Sequence, residues 1–144
     1  MQSFAWAIGM IVAASAAAFE TQELPAARAK IATACGSSPT IIVNWEDFNK
    51  DVDARSGLVD GGLAFLTDAF GAICKDAALK AEVGKQISKV SLTQAYGAAD
   101  PVIYLVRGTL HVEYLWAKGQ PAPDTNYVRA EIASRLRGEA PEAP

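Results

Sequence analysis

The stretch KVSLTQAYGAADPVIYLVRGTLHVEYLW (residues 89–116) alternates apolar and polar side chains, a pattern typical of β-strands with one covered face. A turn sequence, GAADP (97–101), separates its first two segments. The dipeptide Arg107-Gly108 separates the last two and can form a tight hairpin turn, because glycine readily adopts positive φ. We therefore predict three consecutive strands joined as a meander.

Sequence on both sides of these strands predicts helices and one more strand. Residues 58–74 repeat apolar side chains at helical spacing and form the expected central helix. Asp76 can cap the helix that follows, and residues 125–138 have an amphipathic pattern. A β-branched run, Ile41 to Trp45, predicts a strand with both faces largely covered.

Helices, then adjacent strands, then a final helix indicate an α+β fold. We expect a four-stranded, mainly antiparallel sheet with three to four helices packed on one face, after an N-terminal signal segment. The chain has 144 residues, of which 51% are hydrophobic, so one domain can bury a sufficient core. The expected boundaries are a signal peptide at 1–18, a single α+β domain at 19–137 and a disordered tail at 138–144.

The charge balance argues against a nucleic acid partner. Thirteen basic and sixteen acidic residues give a formal net charge of -3. The Lys and Arg residues do not form the dense run that phosphate-backbone binding requires. The sequence also has no phosphate-binding loop, dinucleotide fingerprint, HExxH motif or haem-attachment motif, so we expect no cofactor.

The N-terminus resembles an export signal in composition. Residues 4–19 are apolar or small without interruption. This segment is shorter than a membrane-spanning helix, which needs about 20 apolar residues. Ala16 and Ala18 satisfy the A-x-A pattern, so we expect cleavage after Ala18, or after Ala16 in the neighbouring register. The basic residues that usually begin a signal are missing, which leaves an uncleaved anchor or a mis-assigned start as alternatives. We predict a periplasmic or secreted protein with no stable membrane span after processing.

Export would determine the state of the two cysteines, Cys35 and Cys74. In an oxidising compartment they are expected to form one disulfide closing a loop of about 40 residues, which stabilises a fold by about 4 kcal/mol in the chain-entropy model. In the cytosol both would instead be small buried apolar residues.

His111 and Glu113 are the candidate catalytic pair. His111 is the only histidine, and on an alternating strand Thr109, His111 and Glu113 point to the same side. Glu113 could then orient the imidazole of a small hydrolase, but the sequence supplies no local nucleophile motif. The simpler interpretation is a solvated face of an antiparallel strand, and we favour a protein that is not an enzyme.

A second candidate site is the segment NKDVDARSGLVD (49–60). Asn49, Asp51, Asp53 and Asp60 occupy positions 1, 3, 5 and 12, where a wrapped loop presents oxygen ligands to calcium. Position 6 is Ala54 rather than the glycine such a loop requires. The alternative is an ordinary polar connection in which aspartate caps the next helix.

Three aromatic residues, Tyr104, Tyr114 and Trp116, are candidates for a binding patch if they share an exposed sheet face. Core packing is the alternative. We predict a small exported binding module, with an inhibitor or immunity-like role as one form, whose partner is another protein or an envelope component. The alternatives are the hydrolase and a calcium-stabilised extracytoplasmic module.

Overall fold

The computed structural model describes residues 16–95 and 100–141. A π-helical turn, Phe19–Glu23, leads directly into the first helix. The elements in chain order are α1 (Leu24–Cys35), β1 (Thr40–Val43), α2 (Trp45–Asn49), α3 (Val52–Gly61), α4 (Ala64–Ile73), α5 (Ala77–Gln86), β2 (Lys89–Gln94), β3 (Val102–Val106), β4 (Thr109–Tyr114) and α6 (Thr125–Leu136). The predicted α+β class and four-stranded sheet are confirmed.

The predicted strand pairing is wrong. The sheet order is β1-β2-β4-β3, with β1, β2 and β4 parallel and only β3 antiparallel to its neighbour. The meander prediction fails because β4 lies between β2 and β3. Period-two alternation specifies which face of a strand is covered, but it does not specify which strand lies beside it.

The hairpin between β3 and β4 is confirmed. Arg107 and Gly108 both have positive φ, 49° and 84°, as the tightest two-residue turn requires. The Gly108 carbonyl accepts hydrogen bonds from the backbone N–H groups of Ser88 (2.8 Å) and Lys89 (3.1 Å). The turn is thereby attached to the start of β2, which places β2 alongside β4.

Helices cover one face of the sheet. Alternate residues of β2 and β4 are buried, and α1, α2 and α6 contact β1, β2 and β3 respectively. The strand predicted at Ile41 to Trp45 is present as β1, but it ends at Val43 and Trp45 begins α2. The expectation that both of its faces are covered is wrong, because Ile42 is 43% exposed.

The helices α1 and α4 are connected at both ends. Cys35, the last residue of α1, forms a disulfide with Cys74, which follows α4, and their Cα atoms are 5.2 Å apart. At the opposite end the Glu23 carboxylate accepts a hydrogen bond from the Leu63 N–H (3.1 Å), just before α4. The two helices therefore run parallel, and the predicted disulfide is present.

The predicted central helix at 58–74 is two helices. Gly62 has φ 69°, and its N–H donates to the Leu58 carbonyl at the end of α3. A positive φ of this kind terminates a helix, and α4 restarts at Ala64. This break and the short helix α2 explain why the described residues contain six α-helices, more than the three to four predicted.

The predicted cap at Asp76 is confirmed. Asp76 accepts hydrogen bonds from the Ala78 and Leu79 N–H groups at the start of α5. Gly36 adopts the left-handed conformation that ends α1. Residues 1–15 of the predicted signal peptide and 142–144 of the predicted tail lie outside the described residues.

Gly57 allows α3 to contact the chain that leaves β4. A Cβ atom built on this buried glycine would lie 2.6 Å from the Ala117 carbonyl oxygen, whereas one built on Gly71 in α4 meets no atom within 4 Å. Backbone atoms cannot move away as a flexible side chain can.

We expect Gly57→Ala to destabilise the fold, since the clash costs about 1–3 kcal/mol and exceeds the gain of about 1 kcal/mol in helix propensity. Gly71→Ala is the matched control and should raise the free energy of unfolding by about 0.5–1 kcal/mol. Urea denaturation measures both. Equal stabilisation by the two substitutions would contradict the close packing at Ala117.

Candidate functional site

The side of the sheet that no described helix covers, termed the open face, is the most extensive candidate site. Strand register places its side chains in three rows, two that cross all four strands and one that crosses β2, β4 and β3. Its members are Thr40, Ile42, Lys89, Ser91, Thr93, Val102, Tyr104, Val106, Thr109, His111 and Glu113. Ile42 (43%) and Val106 (48%), on the two edge strands, are its most exposed large apolar side chains.

Tyr104, His111 and Glu113 form a cluster on the open face. Tyr104 and His111 are direct cross-strand partners, and their rings stack with centroids 4.6 Å apart and planes 8° from parallel. The Tyr104 hydroxyl donates a hydrogen bond of 2.6 Å to the Glu113 carboxylate. The hydrogen bond and the neighbouring ring fix the position of the tyrosine side chain.

This cluster changes the acidity of Tyr104. The hydrogen bond to Glu113, followed by burial and the negative charge of Glu113, raises the pKa of Tyr104 from 10.0 to about 12. The hydroxyl must keep its proton to donate, so the neutral tyrosine is the form that the cluster stabilises.

The structure brings the predicted catalytic candidates His111 and Glu113 onto one face. Ser91 is the residue of β2 beside His111 in the register of β2 and β4. Among the described residues, however, no hydrogen bond joins His111 to Ser91 or Glu113, and the Glu113 carboxylate accepts from Tyr104 instead. Hydrolysis by a nucleophile, a base and an orienting carboxylate requires hydrogen bonds between them, and the described residues do not form these bonds at His111.

The calcium candidates are not arranged as a loop. Asp51 caps α3 by accepting hydrogen bonds from the Asp53 and Ala54 N–H groups. Asn49 accepts from Arg55, and Asp60 lies near the far end of α3, about 13 Å along the helix axis from Asp51. Within 16–95 and 100–141, no group of three or more His, Cys, Asp or Glu residues could hold a metal ion.

Of the three predicted patch aromatics, only Tyr104 lies on the open face. Tyr114 (6%) and Trp116 (2%) are buried on the helical side. Trp116 contacts Phe48, with ring centroids 5.5 Å apart, and Tyr114 at 5.2 Å. Tyr114 also donates to the Pro121 carbonyl (3.1 Å), and burial raises its pKa. The patch prediction is wrong for Tyr114 and Trp116.

A groove lies along the outer edge of β3, between this strand and the ends of α5 and α6. Its volume is about 700 Å³. Residues that line it include Lys85, Tyr104, Leu105, Arg107, Arg135 and Glu139. Of the site residues predicted from the sequence, only Tyr104 lines this groove.

The position of Arg135 in the sequence is the feature that could have pointed to the groove. Arg135 lies seven residues after Val128 and three after Ile132, so helical spacing places it on the apolar face of α6. The structure confirms the consequence, since Arg135 is only 6% exposed. A charged residue on a buried helical face indicates a specific partner or function.

Comparison of the chain with models of protein families, with curated proteins and with solved structures finds no match. None of the helices within the described residues is long and apolar enough to cross a membrane.

We expect Glu113→Gln to lower the pKa of Tyr104 from about 12 towards 10.0, because the amide accepts a weaker hydrogen bond from the hydroxyl than the carboxylate does and has no negative charge to repel the tyrosinate. Alkaline titration followed by tyrosinate absorbance measures this, with Tyr114 as the internal reference. The folded-state pKa is raised, so the contribution of Tyr104 to stability is present below pH 10 and is lost as pH rises through about 12. An unchanged titration in the variant would contradict the hydrogen bond to Glu113.

Proposed function

We propose that this protein is a small exported, non-catalytic binding module that docks another protein on its open face. One observation carries the proposal: the described helices cover one side of the four-stranded sheet, and no helix or strand in 16–95 and 100–141 covers the other. An inhibitor or immunity-like protein is one form that such a module takes.

A protein fits the open face better than a small molecule does. Small ligands are usually held in concave pockets, and a four-stranded sheet presents a nearly flat surface about 14 Å wide. Exposed apolar side chains lie at both margins of this surface, Ile42 on β1 and Val106 on β3. The stacked rings of Tyr104 on β3 and His111 on β4 lie near the second margin. Tyrosine in such a setting is common at the energetic centre of protein interfaces.

The internal contacts of the cluster support binding rather than catalysis. The stacked Tyr104 ring covers one side of the His111 imidazole, and the Glu113 carboxylate already accepts a proton donor. A general base must be free to take a proton from a substrate in a productive position. The cluster is instead a fixed surface, which favours recognition because little side-chain entropy is lost on binding.

Two observations support export. The Cys35–Cys74 disulfide is of a kind that persists in oxidising compartments. Among the described residues Phe19 is the first buried side chain, and its ring contacts Trp45 at 5.8 Å. Cleavage after Ala18 would therefore keep the first core residue.

We expect protein isolated from its native cells to have the mass of a chain beginning at Phe19 with both cysteines oxidised. Intact-mass spectrometry before and after reduction measures this, since reduction adds two hydrogens. A chain beginning at Met1 with two free thiols would contradict export.

We expect a photo-crosslinking amino acid placed at Ile42 to react with one partner protein in the native compartment. The same substitution at Val52 is the matched control, because Val52 is also an exposed apolar residue (62%) but lies at the start of α3, outside the sheet. The captured protein, once identified and purified, should shift the NMR resonances of Ser91 and His111. Equal capture from Val52, or no shift at these residues, would overturn the proposal.

A further inference from the structure

The groove lies beside an edge of β3 with which no strand pairs in the part of the chain that the structure describes. In a two-residue hairpin the residues flanking the turn, here Val106 and Thr109, exchange backbone hydrogen bonds. The alternation along β3 then directs the N–H and C=O groups of Val102, Tyr104 and Val106 towards β4. Those of Ile103 and Leu105 point away from the sheet, because β3 is an edge strand. Leu105 lines the groove, so its outward groups are directed into it.

Arg135 lines the groove and has hydrogen-bond donors that lack a partner among the described residues. It is 6% exposed, and one terminal nitrogen is 3.4 Å from the Glu131 carboxylate. Its Nε and Nη1 atoms are buried and have no acceptor among the described residues. A buried guanidinium with two unpaired nitrogen donors is costly, and a carboxylate is the acceptor whose geometry matches it best.

The charge of the groove favours an acidic occupant. Lys85, Arg107 and Arg135 line it together with one carboxylate, that of Glu139. Glu82 lies 3.9 Å from Lys85 and Glu131 lies 3.4 Å from Arg135, so Arg107 is the lining cation that has no ion pair among the described residues. Glu139 is itself hydrogen-bonded to the Ser134 hydroxyl. The whole chain has a net charge of -3, so this cationic lining is a local concentration and does not follow from composition.

We propose that the groove binds an extended acidic segment of a partner protein, which adds to β3 as a fifth strand and places a carboxylate on Arg135. The inference rests on the proposed function in taking the partner to be a protein. Strand addition would satisfy the outward groups of Leu105, and the carboxylate would supply the acceptor that Arg135 lacks. Pairing of two copies of this chain through β3 is disfavoured because it would bring the two cationic grooves together.

The probe is a fluorescein-labelled hexapeptide of alternating valine and glutamate, compared with a peptide in which glutamine replaces glutamate. We expect the glutamate peptide to bind about tenfold more tightly by fluorescence anisotropy, as one charge-assisted contact would give. Arg107→Asn, which keeps a residue suited to positive φ, should weaken this binding several-fold. Arg28→Asn is the matched control, because it removes the same charge from an exposed position of α1. This substitution should leave the affinity for the glutamate peptide unchanged.

Amide hydrogen exchange on the unsubstituted protein provides a test that does not depend on a variant folding. The peptide should slow exchange at Ile103 and Leu105 and leave Tyr104 unchanged, since the Tyr104 N–H already bonds to β4. Equal affinity for the two peptides, protection confined to the open face, or protection of Leu105 by dimerisation without peptide would each overturn the proposal.

The two proposals can fail separately. If the peptide does not bind while Ile42 still cross-links its partner, only the groove proposal is lost. If the peptide protects Leu105 while Ile42 and Val52 cross-link equally, the open face is lost as the docking surface and the groove proposal stands.

Discussion

The position of β4 between β2 and β3 determines the arrangement of everything else in the sheet. The carbonyl of Gly108, in the turn that begins β4, accepts hydrogen bonds from Ser88 and Lys89, so that turn is held at the start of β2. This contact fixes the parallel register in which Ser91 lies beside His111. Because successive side chains alternate, the register sends the polar residues of β4 to one side and its apolar residues to the helices.

The helical layer stays on one side because its helices are fastened to each other. The Cys35–Cys74 disulfide joins one end of α1 and α4, and the bond from Leu63 to Glu23 joins the other. Parallel sheets are usually buried on both faces. Here the second face has polar side chains such as those of Thr93 and Thr109, which water can solvate, so a single helical layer is enough.

Local features could be predicted from the sequence, and strand order could not. Caps and turns depend on one or two residues, as at Asp76 and Gly108, so their chemistry is readable in place. The pairing of β2 with β4 depends on contacts between distant residues, and an alternating strand fits a parallel or an antiparallel neighbour equally well. For the same reason the stacking of Tyr104 on His111, a contact between two strands, could not be inferred.

The free edge of β3 poses a problem that the cationic residues around it address. An edge strand with unpaired backbone groups is a template for another strand, and copies of the same chain are the most abundant strands available. Two β3 edges brought together would place the cationic side chains of both grooves, Arg107 included, in one interface, at a cost that grows as water is excluded. A strand bearing carboxylates meets attraction at the same positions. The charges that discourage self-association therefore also select the partner, and both effects arise from the side chains that line one groove.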